Sequence, residues 1–556
     1  MTTESANANP PQPVAGAPAD MVWWGWGTAE AHTPLPESLL TLLAQGFGIE
    51  GPAQPAAAQP LPVPPPSRLH RDTLLPIAIT IGAAHVTQDD AVRALHTRGK
   101  STPDLLKMRA GDLSAAPDAV VSPGSHEEVL KVLELCSERG VAVVPFGGGT
   151  SVVGGLAPEA GGFAGVIALD LRRMDALISV DRVSMTATFQ PGVRGPQAEA
   201  LLAEHGLSLG HFPQSFEHAS LGGFAATRSS GQASAGYGRF DAMVVGLTVA
   251  TPTGEWTLGR GPANAAGPDL RQVVLGSEGA FGVITEVVVK VHEAPAARRY
   301  EGWQVPSFDA GTALLRSLAQ HGALPTIARL SDEVETAAGL ANAKTTGEQT
   351  AEGCYVMLGF EGSAEEVAER HATALRHLAA AGASQLGGEL GDAWLDGRFH
   401  GPYLRDGLLD LGGLVETVET TASWADLPGL YAAVREAAVE ALVGAGTPPI
   451  VLCHVSHVYP TGASLYFTIV CKQAADPLAQ WDAAKQAISG AIVGARGSIT
   501  HHHAVGTDHR PWLAAEIGEV GVRVLAAIKR ELDPAGVLNP GVLVERDGGA
   551  GAAGGA

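Results

Sequence analysis

Cysteine is scarce. The 556 residues hold four, Cys136, Cys354, Cys453 and Cys471, far apart and with no CxxC pair. That excludes a disulfide scaffold and a zinc knuckle, and a reducing compartment is the expectation. Positive charge is short as well: 36 Lys and Arg face 58 Asp and Glu, a formal net charge of −22. Such a chain repels polyanions at long range, so no nucleic-acid partner is expected, and an anionic ligand must be held by local cations or backbone N–H groups. Apolar runs long enough to cross a bilayer are absent, and MTTESANANPPQPVAGAPAD at the start has neither a basic nor an apolar signal region. A cytoplasmic protein is expected, with any membrane contact peripheral and, given the acidity, apolar. Hydrophobic residues nonetheless make up 45%, enough for a sizeable core, and the length suggests about two to four domains.

From residue 119 the pattern alternates. PDAVVSP reads as a strand, HEEVLKVLELCSERG as a helix capped by Ser125 and stopped by Gly140, and VAVVPF as a second strand. Strand-like GVIALDL, SMTATFQPG, MVVGLTVATPTGEW and FGVITEVVVKV follow. After Pro295 the texture changes to long helices such as SAEEVAERHATALRHLAAAG interleaved with strands such as SLYFTIVC, which places a domain boundary at residues 294–299. Stretches 1–20 and 51–67 are Pro/Ala-rich and read as extended or disordered linkers. Between them MVWWGWGTAEAH gathers Trp23, Trp24 and Trp26, which reads as an arm that packs on the main body.

The strongest local feature follows an apolar strand directly: Pro145, Phe146, Gly147, Gly148, Gly149, Thr150 and Ser151. Consecutive glycines let successive N–H groups face one side as a nest for a pyrophosphate, with the Thr150 and Ser151 hydroxyls as further donors. It is no Walker loop, because no Gly-Lys-Ser/Thr ends it, and no GxGxxG opens a helix. Alone, a GGG loop is as readily a plain turn. It is followed, however, by HFPQSFEHASLGGFAATRSSG and then by GSEGAFGVIT. In this order the motifs resemble the PCMH-type flavin-binding domain of the vanillyl-alcohol oxidase superfamily. The resemblance implies FAD, with residues 145–151 on the pyrophosphate. Gln214, Ser215, Ser220 and Gly223, then Thr227, Arg228, Ser229 and Ser230, then Glu278, Gly282, Val283 and Ile284, would line the adenine, ribose and isoalloxazine. Some relatives attach FAD through a histidine after two glycines of this loop; Gly149 stands there, so non-covalent FAD is expected.

SITHHHAVG contains His501, His502 and His503. A histidine triplet in isolation suggests a tag, but tags sit at termini. Three adjacent imidazoles in a half-charged cluster suit proton transfer and the holding of an anion near neutral pH. Together with WWGWG, RLSD, YLRD, ETVETTASW, GASLYF and LDPAGVLNPG, the triplet makes residues 23–541 resemble the alkyl-dihydroxyacetonephosphate synthase family. That resemblance implies an α+β protein. A PCMH-type FAD-binding domain of two α+β subdomains (116–294) would be joined by an α+β cap whose antiparallel sheet is covered by helices (295–497). An N-terminal arm and helical segment (21–115), a His-triplet loop with a C-terminal flavin-side segment (498–545), and tails at 1–20 and 546–556 complete the layout.

The activity implied is exchange of the acyl group of acyl-dihydroxyacetone phosphate for a fatty alcohol, through flavin N5 and without net redox. Its substrates are a phosphorylated lipid and a fatty alcohol, and a homodimer is expected. Tyr466 matches the family's catalytic tyrosine; as a base its phenol, ordinarily near pKa ~10, must be lowered by nearby cations. His501 to His503 would supply that field and shuttle protons. Arg405 matches the substrate-binding arginine, a bidentate phosphate clamp, and Arg329 an arginine needed for activity.

Two alternatives stand beside this reading. An FAD-dependent D-2-hydroxyacid dehydrogenase of the same superfamily would carry GHxGDGNLH and SGEHGxG, whose His and Glu bind a metal. Here CHVSHVYPTGASLYF and SITHHHAVG replace them, so His502 stands where the metal-binding Glu would be and no metal is expected, although His454 and His457 remain as imidazole donors. The other alternative is a catalytically dead binding protein on the flavin scaffold. Gln214 departs from the synthases, which tend to have Asp there.

Overall fold

In the computed structural model, which describes residues 20–49, 54–339 and 352–545, helix His126–Arg139 starts where the Ser125 hydroxyl accepts from the Glu128 N–H. It ends at Gly140, at φ +60°. Its apolar row, including Val129, Val132, Leu133 and Cys136, is fully buried in one core with strands Ala119–Val121 and Val141–Phe146. Those two strands flank Gly165–Asp170 in parallel, and Val86–Thr87 closes the far edge. On the other side of Val141–Phe146 lies the end of the chain: the Val143 N–H donates to the Val537 carbonyl, and the Asn539 N–H to the Val143 carbonyl. The strand that launches the GGG loop is therefore held from both sides.

A second, antiparallel sheet runs Leu177–Asp181, Thr186–Phe189, Val283–Lys290, Val244–Thr251, Gly254–Leu258. Strand alternation sends Val287 and Val289 into a core with Phe189, Phe224 and Leu247. The third sheet has seven strands, all antiparallel, in the order Ser384–Gly387, Ala297–Val305, Cys354–Gly362, Ile327–Ser331, Ile450–Val455, Gly462–Lys472, Gly413–Ser423. Helices Phe308–Gln320, Ala364–Ala380, Leu427–Gly444 and Pro477–Gly494 bury its largest core.

Residues 54–67, expected to be a loose linker, carry little regular structure but are tied down. The Gln54 and Ala56 N–H groups donate to Asp410, and the Arg93 guanidinium donates to the Pro65 carbonyl. Composition could not show this, because Asp410 lies 354 residues beyond Ala56. The tryptophan arm docks in the same region: Trp23 and Trp24 pack with Ala94, Met108 and Leu113. The Trp26 N–H donates to Asp406 Oδ2 at 2.6 Å.

One amide adds a side-chain tie to the backbone bonds of the returning C-terminal segment. Asn539 Nδ2 donates to the Gly155 carbonyl at 2.9 Å and the Glu278 carbonyl at 2.7 Å. Asn539→Ala strands both buried acceptors, at a cost of about 1–3 kcal/mol. A lowered melting temperature in a thermal scan is expected; an unchanged one contradicts this assignment.

Candidate active site

The GGG loop leaves strand Val141–Phe146 and turns at Gly149, which has φ +70°. A Cβ on Gly147 would strike Ser220 Oγ, and one on Gly148 would strike the His218 carbonyl. The N–H groups of Gly148, Gly149 and Thr150 engage no protein acceptor among the described residues. Orphan donors on a loop that only glycine can build are what a pyrophosphate requires. The loop borders a cavity of about 470 Å³, whose walls come from both flavin-side sheets, the cap sheet and the C-terminal segment.

Nearly all the residues singled out by sequence border this cavity. Pro145 to Ser151, Gln214, Ser215, Ser220, Gly223, Thr227, Ser229, Ser230, Glu278, Gly282, Val283 and Ile284 do so from the flavin side. Arg329, Arg405, Tyr466, His502 and His503 do so from the cap side. Two do not. Arg228 caps helix Leu221–Thr227 in the left-handed conformation, and its guanidinium donates to the Leu275 carbonyl and to Gln272. Its side chain is spent within the protein and does not reach the cavity wall. His501 is turned away as well, with Nε2 2.7 Å from the Tyr459 hydroxyl and its ring stacked on His457 at 4.8 Å.

One carboxylate shapes the triplet. Glu419, on strand Gly413–Ser423, accepts the N–H groups of His501, His502 and His503 at 2.6, 3.1 and 2.9 Å, and the Thr500 hydroxyl at 2.5 Å. Burial acts to raise its pKa, but its neighbours, His502 foremost, outweigh that and hold it well below the usual carboxylate range. Three residues on, Glu278 Oε2 accepts from Val505 and Gly506, and burial pushes that carboxyl up to about 7. Sequence had shown Glu419 only as one letter in ETVETTASW. A buried acid in a β-branched strand was the available signal.

Three expectations are corrected by burial. Two of the triplet do not add positive charge: desolvation holds His501 well below its usual pKa and lowers His503 to about 3. Tyr466 does not have a lowered phenol; burial pushes it up to about 12, against the opposing hydrogen bond from Thr417. Nor are the two arginines free cations. Arg405 donates through Nε and Nη2 to Asp406 Oδ1 and through Nη1 to the Lys100 carbonyl. Arg329 donates to Glu335 Oε1 and to His454.

The strand register then sets the centre. Tyr466 on Gly462–Lys472 stands directly between His454 and Glu419 on its two neighbours. Its ring stacks on His454 at 4.9 Å and lies 6.1 Å from His502 and 5.7 Å from His503. His454 and His457, set aside in the sequence, both border the cavity. His457, His501 and His502 offer nitrogens within 4.8 Å of one another, the one metal-capable cluster among the described residues. No carboxylate belongs to it among the described residues, although Glu419 Oε2 lies 3.5 Å from His502 Nδ1. Away from this polar centre the cavity wall is apolar, with Leu404, Leu408, Val415, Leu452 and Val470. Several of these pack on Leu39 and Leu43 of helix Glu37–Phe47.

Comparison with known proteins agrees with this geometry. Residues 117–258 match the FAD binding domain family, and residues 294–543 match the C-terminal domain of FAD linked oxidases. The alkyldihydroxyacetonephosphate synthase of Dictyostelium discoideum is 36% identical over 477 residues, 82% of this chain and 78% of that protein. A solved structure of an alkyldihydroxyacetonephosphate synthase superposes with a TM-score of 0.79 at 31% identity, covering 94% of this chain and 98% of the other. p-Cresol methylhydroxylase, at 17% identity and a TM-score of 0.65, shares the fold alone.

Gly148→Ala drives a methyl group into the His218 carbonyl, so this variant is expected to purify without flavin, and a yellow protein with a full complement contradicts the nest. The neutral histidines carry a pH signature. His211, His503 and His509 are each lowered to about 3 by burial, so the stability they allow is present above about pH 6.5 and is lost as pH falls toward 3. The melting temperature should drop steadily below pH 6.5, and His503→Gln should flatten that slope by up to ~1.4 kcal/mol per pH unit. An unchanged slope shows that His503 is not held neutral.

Proposed function

The chain belongs to the alkyldihydroxyacetonephosphate synthase family, and on that premise we propose that it exchanges the acyl group of acyl-dihydroxyacetone phosphate for a fatty alcohol. The alcohol oxygen takes the place of the acyl carboxylate at C1, the fatty acid leaves, and no electrons are gained or lost. FAD is the cofactor. When bound, it supplies the reactive centre at which the leaving and entering groups change places.

The observation that carries the reading is one cavity with two unlike ends. One is the nest of unengaged N–H groups at Gly148 to Thr150; the other is the apolar wall of Leu404, Leu408, Val415, Leu452 and Val470. The second end suits an acyl or alkyl chain, which gains about 25 cal/mol per Å² of apolar surface removed from water.

Between them the chain's own groups move protons. With its phenol pushed up to about 12, Tyr466 is protonated at neutral pH and acts as a donor and relay rather than as a standing base. The acceptor is a neutral imidazole: His454 stacks on the Tyr466 ring, and His502 and His503 flank it. Burial keeps His503 and His454 uncharged and therefore able to accept. Glu419 fixes the triplet backbone so that the rings keep this arrangement. Arg405 spends three of its five N–H groups on Asp406 and Lys100 and offers the rest to the substrate. The dehydrogenase alternative needs a carboxylate among the metal-facing groups, and the metal-capable cluster among the described residues consists of three imidazoles, His457, His501 and His502.

No helix of the described residues is long and apolar enough to cross a membrane. As part of the same reading the protein is a cytoplasmic homodimer that meets lipid peripherally. Support comes from exposed Val520 and Val524, at 65% and 52% exposure, on the part of helix Leu513–Leu532 that follows the break at Gly518.

Acyl-dihydroxyacetone phosphate and labelled fatty alcohol should yield labelled ether lipid without oxygen uptake. Tyr466→Phe should lower kcat by about 10²–10⁴-fold, the usual loss of a positioned proton donor. FAD should separate from the denatured chain; flavin retained on the polypeptide contradicts non-covalent binding. Rapid bleaching of the flavin by D-lactate with no alkyl exchange would sink the proposal.

A further inference from the structure

Three arginines line the cavity: Arg329, Arg398 and Arg405. Two are neutralised within the protein, Arg329 by Glu335 and Arg405 by Asp406 at 3.0 Å. Arg398 is different. It sits between helices Glu389–Gly397 and Gly401–Asp410, seven positions before Arg405 on the same segment. Its guanidinium lies over the Phe212 ring at 4.7 Å and the Phe399 ring at 4.8 Å. Phe399 in turn stacks on Phe216 at 5.4 Å, and Gln232 Nε2 holds the Arg398 carbonyl at 3.1 Å.

The backbone is thus held and the guanidinium is packed beside two aromatic rings, while its N–H groups meet no acceptor among the described residues. The carboxylates that act on it from a distance, Glu361 and Glu199, are already occupied. Glu361 accepts the Tyr300 and Tyr237 hydroxyls, and Glu199 accepts from Ser208, Leu209 and Gly210. A desolvated cation held by aromatic faces and without an acceptor is costly unless an anion completes it. The cofactor's pyrophosphate has its own donors in the GGG loop; the phosphate of the substrate has only the already paired Arg405.

We infer that Arg398 receives the phosphate of the phosphorylated substrate and is the residue that selects a phosphorylated over an uncharged ketone lipid. This rests on the proposed exchange reaction. Arg405 contributes hydrogen bonds in a pair that is neutral overall, whereas Arg398 contributes the net charge. The fork geometry of a guanidinium, whose N–H groups here have no acceptor among the described residues, matches two phosphate oxygens at once.

The test uses the FAD-loaded enzyme. In Arg398→Met the KM for acyl-dihydroxyacetone phosphate should rise about 10- to 100-fold while the KM for fatty alcohol, the melting temperature and the flavin content stay unchanged. Arg398→Lys, which keeps charge but not the fork, should fall between. Inorganic phosphate titrated into the holoenzyme and followed by flavin absorbance should bind more weakly to Arg398→Met by a similar factor. That readout does not need turnover, so it stands even if the wild-type enzyme performs no alkyl exchange and the functional reading fails. Equal phosphate binding and an unchanged KM overturn the inference. So does loss of FAD from Arg398→Met, which would assign the anion to the cofactor.

Discussion

Two buried carboxylates hold the ends of one short loop, and the active cavity exists because of them. Glu419 in the cap sheet takes the N–H groups of His501, His502 and His503, and Glu278 on the flavin side takes those of Val505 and Gly506. Residues 501–506 are therefore stapled to both halves of the molecule. Each contact is a hydrogen bond to an acid removed from water, where an unmet acceptor is expensive. Neither half can drift without stranding one of them. The same loop carries two of the imidazoles that face the cavity, so the position of the proton-transfer groups relative to the flavin site is set by backbone bonds rather than by the histidine side chains.

The excess of acid over base in this chain takes a different meaning from this arrangement. An acidic protein that binds an anionic cofactor and a phosphorylated lipid was expected to gather cations in its pocket. Most of the positive charge in the cavity wall is instead cancelled locally, at Arg329 by Glu335 and at Arg405 by Asp406. His501 and His503 are held uncharged by burial. What is left to receive anions, on the proposed reading, is a set of dipoles, the unengaged N–H groups of the GGG loop, and Arg398, the cavity guanidinium without a carboxylate partner among the described residues. Dipoles fixed by the backbone need no counter-ion and cost no reorganisation, whereas a crowd of buried cations would repel one another in low dielectric.

Much was legible from the residues alone. The nest of Gly147 to Thr150 was readable because its requirement is local: no side chain fits between the loop and the His218 carbonyl, and only glycine lacks one. Helix His126–Arg139 was readable from Ser125, the apolar spacing and Gly140. The resemblance carried Tyr466, Arg405, His502 and His503 to the cavity. The sequence did not disclose that Arg228 turns outward, that His501 faces Tyr459, that residues 54–67 are pinned to Asp410, or that Arg398 stands unpaired.

The division follows the range of the forces. Chain stiffness, glycine sterics and strand alternation act over a few residues, so the sequence by itself determined the flavin loop, the strands and helix that flank it along the chain and the kinds of groups available. Desolvation and ion pairing act between residues hundreds of positions apart. Only the tertiary structure decided that Tyr466 keeps its proton, that His501 and His503 are neutral, and that of three cavity arginines one is left without a carboxylate, because each outcome depends on what the fold places beside the group and how little water it leaves there.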